Sequence, residues 1–142
     1  VVDKTKPNDS ALGVLDKSDW YLSDAHAGDI AILVIGFEDA KNAQDLTQVT
    51  ANLTEIIEKL QSKNMSVILI QLTDGLGILP VEMRSPFAQM YLDVSTQTQV
   101  PLVSGIFEDL WLDDTNVAPD EFHLSAQGNK LLAQKLYDLL QK

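Results

Sequence analysis

Ile30-Ala-Ile-Leu-Val-Ile35 is a continuous apolar run, preceded by Ala27-Gly28-Asp29 and closed by Gly36. It is too short for a helix with a buried face, and Ile and Val dominate it. Such a run, bounded by glycine on both sides, predicts a strand buried on both faces of a parallel sheet. Gly36-Phe-Glu-Asp39 would then be the loop leaving its carboxyl end.

The flanking sequence supplies the partners that such a strand needs. Across residues 43–63, Leu46, Val49, Leu53, Ile56, Ile57 and Leu60 recur at helical spacing with charges opposite. Ser66-Val-Ile-Leu-Ile-Gln-Leu72 reads as a second buried strand. A Gly-rich loop (73–80) follows, then a helical pattern over 81–98 interrupted early by Pro86, and a short strand, Val100-Pro-Leu-Val103. Phe107 to Trp111 suggests a helical turn. An acidic loop over 113–119 leads to a last helix at 125–141, with Leu131, Leu132, Leu136, Leu139 and Leu140 as its core stripe. Upstream, Val1-Val2-Asp3 reads as the end of a strand. Asp9 or Ser10 would cap a helix reaching about Asp24, burying Leu12, Leu15 and Trp20. Strands alternating with helices predict an α/β domain over residues 1–142, with a parallel sheet and right-handed crossovers. In such sheets, sites form at the loops leaving the carboxyl ends of strands.

Composition narrows the function classes. A chain of 142 residues, 45% hydrophobic and 22% charged, has the balance of one globular domain with a core. A net charge of −11 argues against binding nucleic-acid phosphates or anionic membrane surfaces. Without cysteine there is no disulfide, thiolate metal site or Cys nucleophile. No apolar run is long enough to span a bilayer.

The chemistry is concentrated in Ala118-Pro-Asp-Glu-Phe-His-Leu-Ser-Ala-Gln-Gly-Asn129. Asp120 stands three residues before His123, on a loop ahead of a helix. A carboxylate so placed can hold an imidazole in one tautomer, leaving its other nitrogen to take a proton from a nucleophile. Ser125 and Ser10 read as helix caps rather than nucleophiles. Glu38 with Asp39 reads as solvated loop acids, with a metal or acid/base pair as the sharper alternative. Asp113, Asp114 and Asp120 have a cation site as their alternative. His26 reads as a surface residue. Asn52-Leu-Thr54 and Asn8-Asp-Ser10 match glycosylation acceptors, a pattern common by chance.

These blocks resemble the SGNH hydrolases, also called GDSL esterases and lipases, and among them the small bacterial lysophospholipase/thioesterase/arylesterase type. Asp120-Glu-Phe-His-Leu-Ser-Ala-Gln-Gly128 is similar to the block that completes the family's triad. Asp29-Ile-Ala-Ile-Leu-Val-Ile-Gly-Phe-Glu-Asp39 is similar to the strand that ends in the family's Gly-x-Asn-Asp block. The resemblance implies a flavodoxin-like three-layer sandwich with a parallel sheet. It implies a serine ester hydrolase with His123 as general base and acid, oriented by Asp120, and no cofactor or metal. A small acyl ester, thioester or lysophospholipid would be the substrate. Bacterial relatives of this type favour a periplasmic or secreted location, though the sequence itself fixes no compartment.

Three departures from the family pattern carry consequences. The strand ending in Gly-Asp-Ser, which supplies the family's nucleophile, has no counterpart here, so the first strand and helix of the sandwich are expected to be missing. Residues 1–142 would then be the C-terminal portion of the domain, inactive or very weak alone. A separate segment could supply the strand that the family places between the one ending at Val2 and the one at Ile30–Ile35. Asn8 stands where a glycine usually donates its backbone N–H to the oxyanion. Glu38 stands where the family has the oxyanion-hole Asn. Losing one such donor costs about 3 kcal/mol of transition-state stabilisation, and a carboxylate there would also repel the developing charge. The alternative reading is therefore a non-catalytic binding or interaction module on the same fold. A generic flavodoxin-like domain is a third, but Gly75-Leu-Gly77 is too short to cradle phosphate.

Overall fold

The computed structural model describes residues 2–4, 6, 8–72, 81–119 and 123–141. The expected Gly-rich loop at 73–80, Val1 and Asp120 lie outside the described residues. Within them the chain forms α1 (Ala11–Asp16), α2 (Ser18–Tyr21), β1 (Ile30–Leu33), α3 (Phe37–Lys41), α4 (Leu46–Ser62), β2 (Ser66–Ile70), α5 (Val81–Thr98), β3 (Leu102–Val103), α6 (Glu108–Trp111) and α7 (Ala126–Leu140). A 3₁₀ turn at Asp114–Asn116 separates the last two helices.

The three strands form a parallel sheet in the order β1-β2-β3. Ile32 pairs with Ile68 and Leu33 with Leu69, while Leu69 and Ile70 pair with Leu102 and Val103. The fold is the α/β class that the strand–helix alternation implied. Its core lies between the sheet and two long helices. From α4 come Val49, Leu53, Ile56, Ile57 and Leu60, and from α5 come Phe87, Met90, Tyr91 and Val94. Each set follows the 3.6-residue period, which puts it on one stripe of its helix. α4 packs on α5, α1 and β2. α5 runs unbroken through Pro86, at its sixth position. Proline there forfeits one intrahelical hydrogen bond without ending the helix.

Several expectations give way. β1 is not buried on both faces: Ile30 is 54% and Val34 42% exposed. The reason is its place at the end of the strand order, with no partner strand beyond it among the described residues. Val2 and Asp3 form no strand and are exposed. The first helix breaks at Lys17, leaving Leu12 and Trp20 exposed while Ala11 is fully buried. The ammonium groups of Lys4 and Lys6 lie 4.6 and 4.5 Å from the Trp20 ring centroid, so the indole is covered by cations instead of core. The leucine stripe of α7 is only partly core. Leu132 and Leu136 pack against it, but Leu131 is 41% and Leu140 43% exposed.

Candidate functional site

Gly36 makes the turn from β1 into α3 at φ 121°, a conformation that favours glycine. It also lies against the Tyr91 hydroxyl, which donates to the Ile35 carbonyl, and an added Cβ would overlap that oxygen. Burial pushes the Tyr91 hydroxyl's pKa up. The expected loop at Gly36–Asp39 is thus the first turn of a helix. Glu38 and Asp39, expected to be solvated, are 9% and 3% exposed. Acids in a first helical turn face the positive end of the macrodipole, which offsets part of the cost of burying them.

The Glu38 carboxylate is held along α3 by residues one turn on, 3.3 Å from the Asn42 amide and 3.4 Å from the Lys41 ammonium. Asp39 accepts from the backbone N–H of Ala11 at 2.9 Å, across 28 residues of sequence. Burial pushes the Asp39 carboxyl up, and the neighbouring Glu38 charge adds to this.

His123 sits at the mouth of α7. Its imidazole stacks on Phe37, the residue after Gly36, with ring centroids 5.6 Å apart and planes tilted by 33°. Its carbonyl accepts from the Ala118 N–H at 2.7 Å, and an antiparallel bridge joins Val117 to Leu124. Ser125 caps α7 through Gly128 N–H and donates its hydroxyl to the Thr115 carbonyl, the capping role its position implied. Asp120 lies outside the described residues.

The remaining candidates have structural partners. Ser10 caps α1, its hydroxyl oxygen accepting from Gly13 N–H at 3.2 Å. Asn8 is exposed and left-handed at φ 63°. Asp9 accepts from Lys17 and Tyr21, both at 2.6 Å; the Lys17 hydrogen bond, then that of Tyr21, holds its carboxyl below the usual range. Asp113 caps the 3₁₀ turn through Thr115, and those bonds lower its carboxyl likewise. His26 is a surface residue beside Asp29. Asn52 is 5% exposed and bonded to Gln48, which removes it as a glycosylation acceptor. Among the described residues no group of three or more His, Asp or Glu is placed to hold a metal, and no helix is long and apolar enough to cross a membrane.

The family model described as GDSL-like lipase/acylhydrolase matches residues 5–131. The chain belongs to that family. No curated protein matches its sequence significantly. Among solved structures, a psychrotrophic esterase, EstA from Pseudoalteromonas sp., in a form inhibited by monoethylphosphonate, superposes with a TM-score of 0.87 at 17% identity. The match covers 99% of this chain and 75% of that one. TesA gives 0.79 at 19% identity, over 93% of this chain and 72% of the other. AlinE4, described as an SGNH-hydrolase family esterase, gives 0.71 at 18% identity, over 94% and 71%. At such identities the likeness establishes the fold, which for this GDSL-like chain is that of the SGNH hydrolases.

Phe37 beneath His123 and the buried Asp39 were not anticipated from sequence. The signal for Asp39 was available: two acids directly after a buried strand and a glycine also fit the first turn of a helix.

Proposed function

We propose that this domain acts in an SGNH-type serine ester hydrolase on a small acyl ester, thioester or lysophospholipid. His123 is the general base, oriented by Asp120. A serine hydroxyl adds to the ester carbonyl carbon as its proton passes to His123; the tetrahedral intermediate then expels the alcohol or thiol, which takes that proton. Water repeats the sequence on the acyl-serine and frees the acid. The Asn8 backbone N–H serves the oxyanion, with Glu38 at its third position.

The single observation that carries the reading is the contact of His123 with Phe37. It brings the imidazole to the residue that follows the β1 turn, at the sheet edge where α/β sites form. The serine would come from a strand–helix segment outside residues 1–142, its strand lying on the free edge of β1. Support for this comes from the exposure of Ile30 and Val34 there. A parallel neighbour also requires a crossover, which brings a helix with it.

Glu38 favours a second reading, in which the fold serves as a binding module without turnover. A carboxylate at an oxyanion position opposes the charge that catalysis must stabilise. The test is incubation with a short-chain p-nitrophenyl ester and a fluorophosphonate probe. The hydrolase reading expects serine labelling and turnover that His123→Ala abolishes. Neither turnover nor labelled serine in the full-length protein would leave the binding module.

A further inference from the structure

We infer that Asp39 is a positioning residue that couples the Asn8–Ser10 segment to the first turn of α3, and so sets the geometry of the oxyanion site; the inference rests on the hydrolase reading. Ala11 is the first residue of α1 and is fully buried. Its N–H is one of the donors that a helix start leaves without an intrahelical acceptor. Ser10, the cap, is engaged with Gly13. The Ala11 donor is met instead by Asp39, from another helix, at 2.9 Å.

Each end of this bond is rigid. On one side Asp9 is clamped by Lys17 and Tyr21, which fixes the residue between Asn8 and Ser10. On the other, Asp39 directly follows Glu38 and lies two residues after Phe37, on which His123 stacks. Gly36, jammed against Tyr91, anchors the start of the same turn. One buried carboxylate therefore links the segment carrying the Asn8 N–H to the helix carrying Glu38 and the histidine's platform. Burial penalises the ionised carboxyl, so a group kept here needs its N–H partner.

The test uses the full-length protein with three substitutions. Asp39→Ala removes the acceptor. Asp39→Asn keeps a carbonyl oxygen for Ala11. Ala11→Pro removes the donor at a helix position where proline is tolerated, after a Ser10 already extended at ψ 171°. Two readouts are taken: amide resonances of residues 8–11, and kcat per serine labelled by the fluorophosphonate, which counts folded sites only. Asp39→Ala and Ala11→Pro should each shift the Asn8 amide and lower kcat per labelled site about tenfold or more, with KM changed less than twofold. Their combination should be no worse than either alone, and Asp39→Asn should recover most of the loss. If Asp39→Ala does not fold, Ala11→Pro carries the same comparison. Unchanged kcat per labelled site, or additive effects in the double variant, would overturn the proposal. A wild-type protein without turnover would overturn the hydrolase reading instead, and the coupling would then be judged on the Asn8 amide alone.

Discussion

Asp9 and Asp39 lie on either side of the same backbone segment, and their surroundings push their carboxyl groups in opposite directions. Asp9 is held down first by its bond from Lys17, then by that from Tyr21. A depressed folded pKa contributes stability that is present above the unfolded value, near 3.8, and is lost as pH falls through the folded one. Asp39 is pushed up by burial, so its contribution has the other sign: present below about 3.8 and lost as pH rises through the folded value. Urea midpoints measured from pH 3 to pH 7 should therefore show Asp9→Asn flattening the acid limb. Asp39→Asn should remove a loss of stability on the rising side of 3.8. Parallel pH profiles for the two variants would refute the assignment. Glu38 makes the third prediction at this scale. If its carboxylate occupies the oxyanion position, Glu38→Asn should raise kcat of the serine-bearing protein on p-nitrophenyl esters by about 100-fold, the worth of one donor, with KM little changed. A fall in activity would place Glu38 in another role.

Two short elements position the site, and each turns on a glycine whose missing side chain is the point. At Gly36 a Cβ would overlap the Tyr91 hydroxyl at a φ that L residues rarely adopt; at Gly128 it would overlap the backbone carbonyl of Asn116. Gly36→Ala and Gly128→Ala should each lower stability by about 1–3 kcal/mol, seen as a lower denaturation midpoint at an unchanged slope. Gly128→Ala should also displace the His123 loop, because Asn116 receives the Ser125 N–H. Much of this was readable beforehand. The stripe of α4 and the apolar run of β2 obey simple periods, and Ser10 and Ser125 carry cap chemistry, so these elements lie where patterning puts them. What patterning misjudged depends on neighbours. Glu38 and Asp39 read as solvated until α3 is seen to start at once and α1 to offer its Ala11 N–H. Trp20 reads as core until two lysines cover it. The ring beneath His123 comes from Phe37, 86 positions away in sequence, and no local period reports such a contact.

For the molecule as a whole, two apolar surfaces begin at one place. Among the described residues β1 has no partner strand on one side, with Ile30 and Val34 exposed, and α7 shows Tyr137 and Leu140 to solvent. The contact between Phe37, just past β1, and His123, just before α7, ties their ends together. A single strand–helix unit would act on both surfaces, its strand pairing with β1 and its helix lying beside α7. Exposed side chains of this size gain about 1 kcal/mol each when their remaining surface is buried, so covering them would contribute several kcal/mol on this side of the contact. Open edges also invite self-association. Residues 1–142 alone should accordingly bind a hydrophobic dye and associate as concentration rises, and Ile30→Lys with Val34→Lys should suppress the association. Placing a family-type strand–helix unit ending its strand in Gly-Asp-Ser ahead of residue 1 should abolish dye binding and raise Tm. It should also slow hydrogen exchange at those β1 amides that do not bond to β2. If β1 exchange stays fast while Tm rises, the unit has docked elsewhere, and the free edge of β1 is not where the serine arrives.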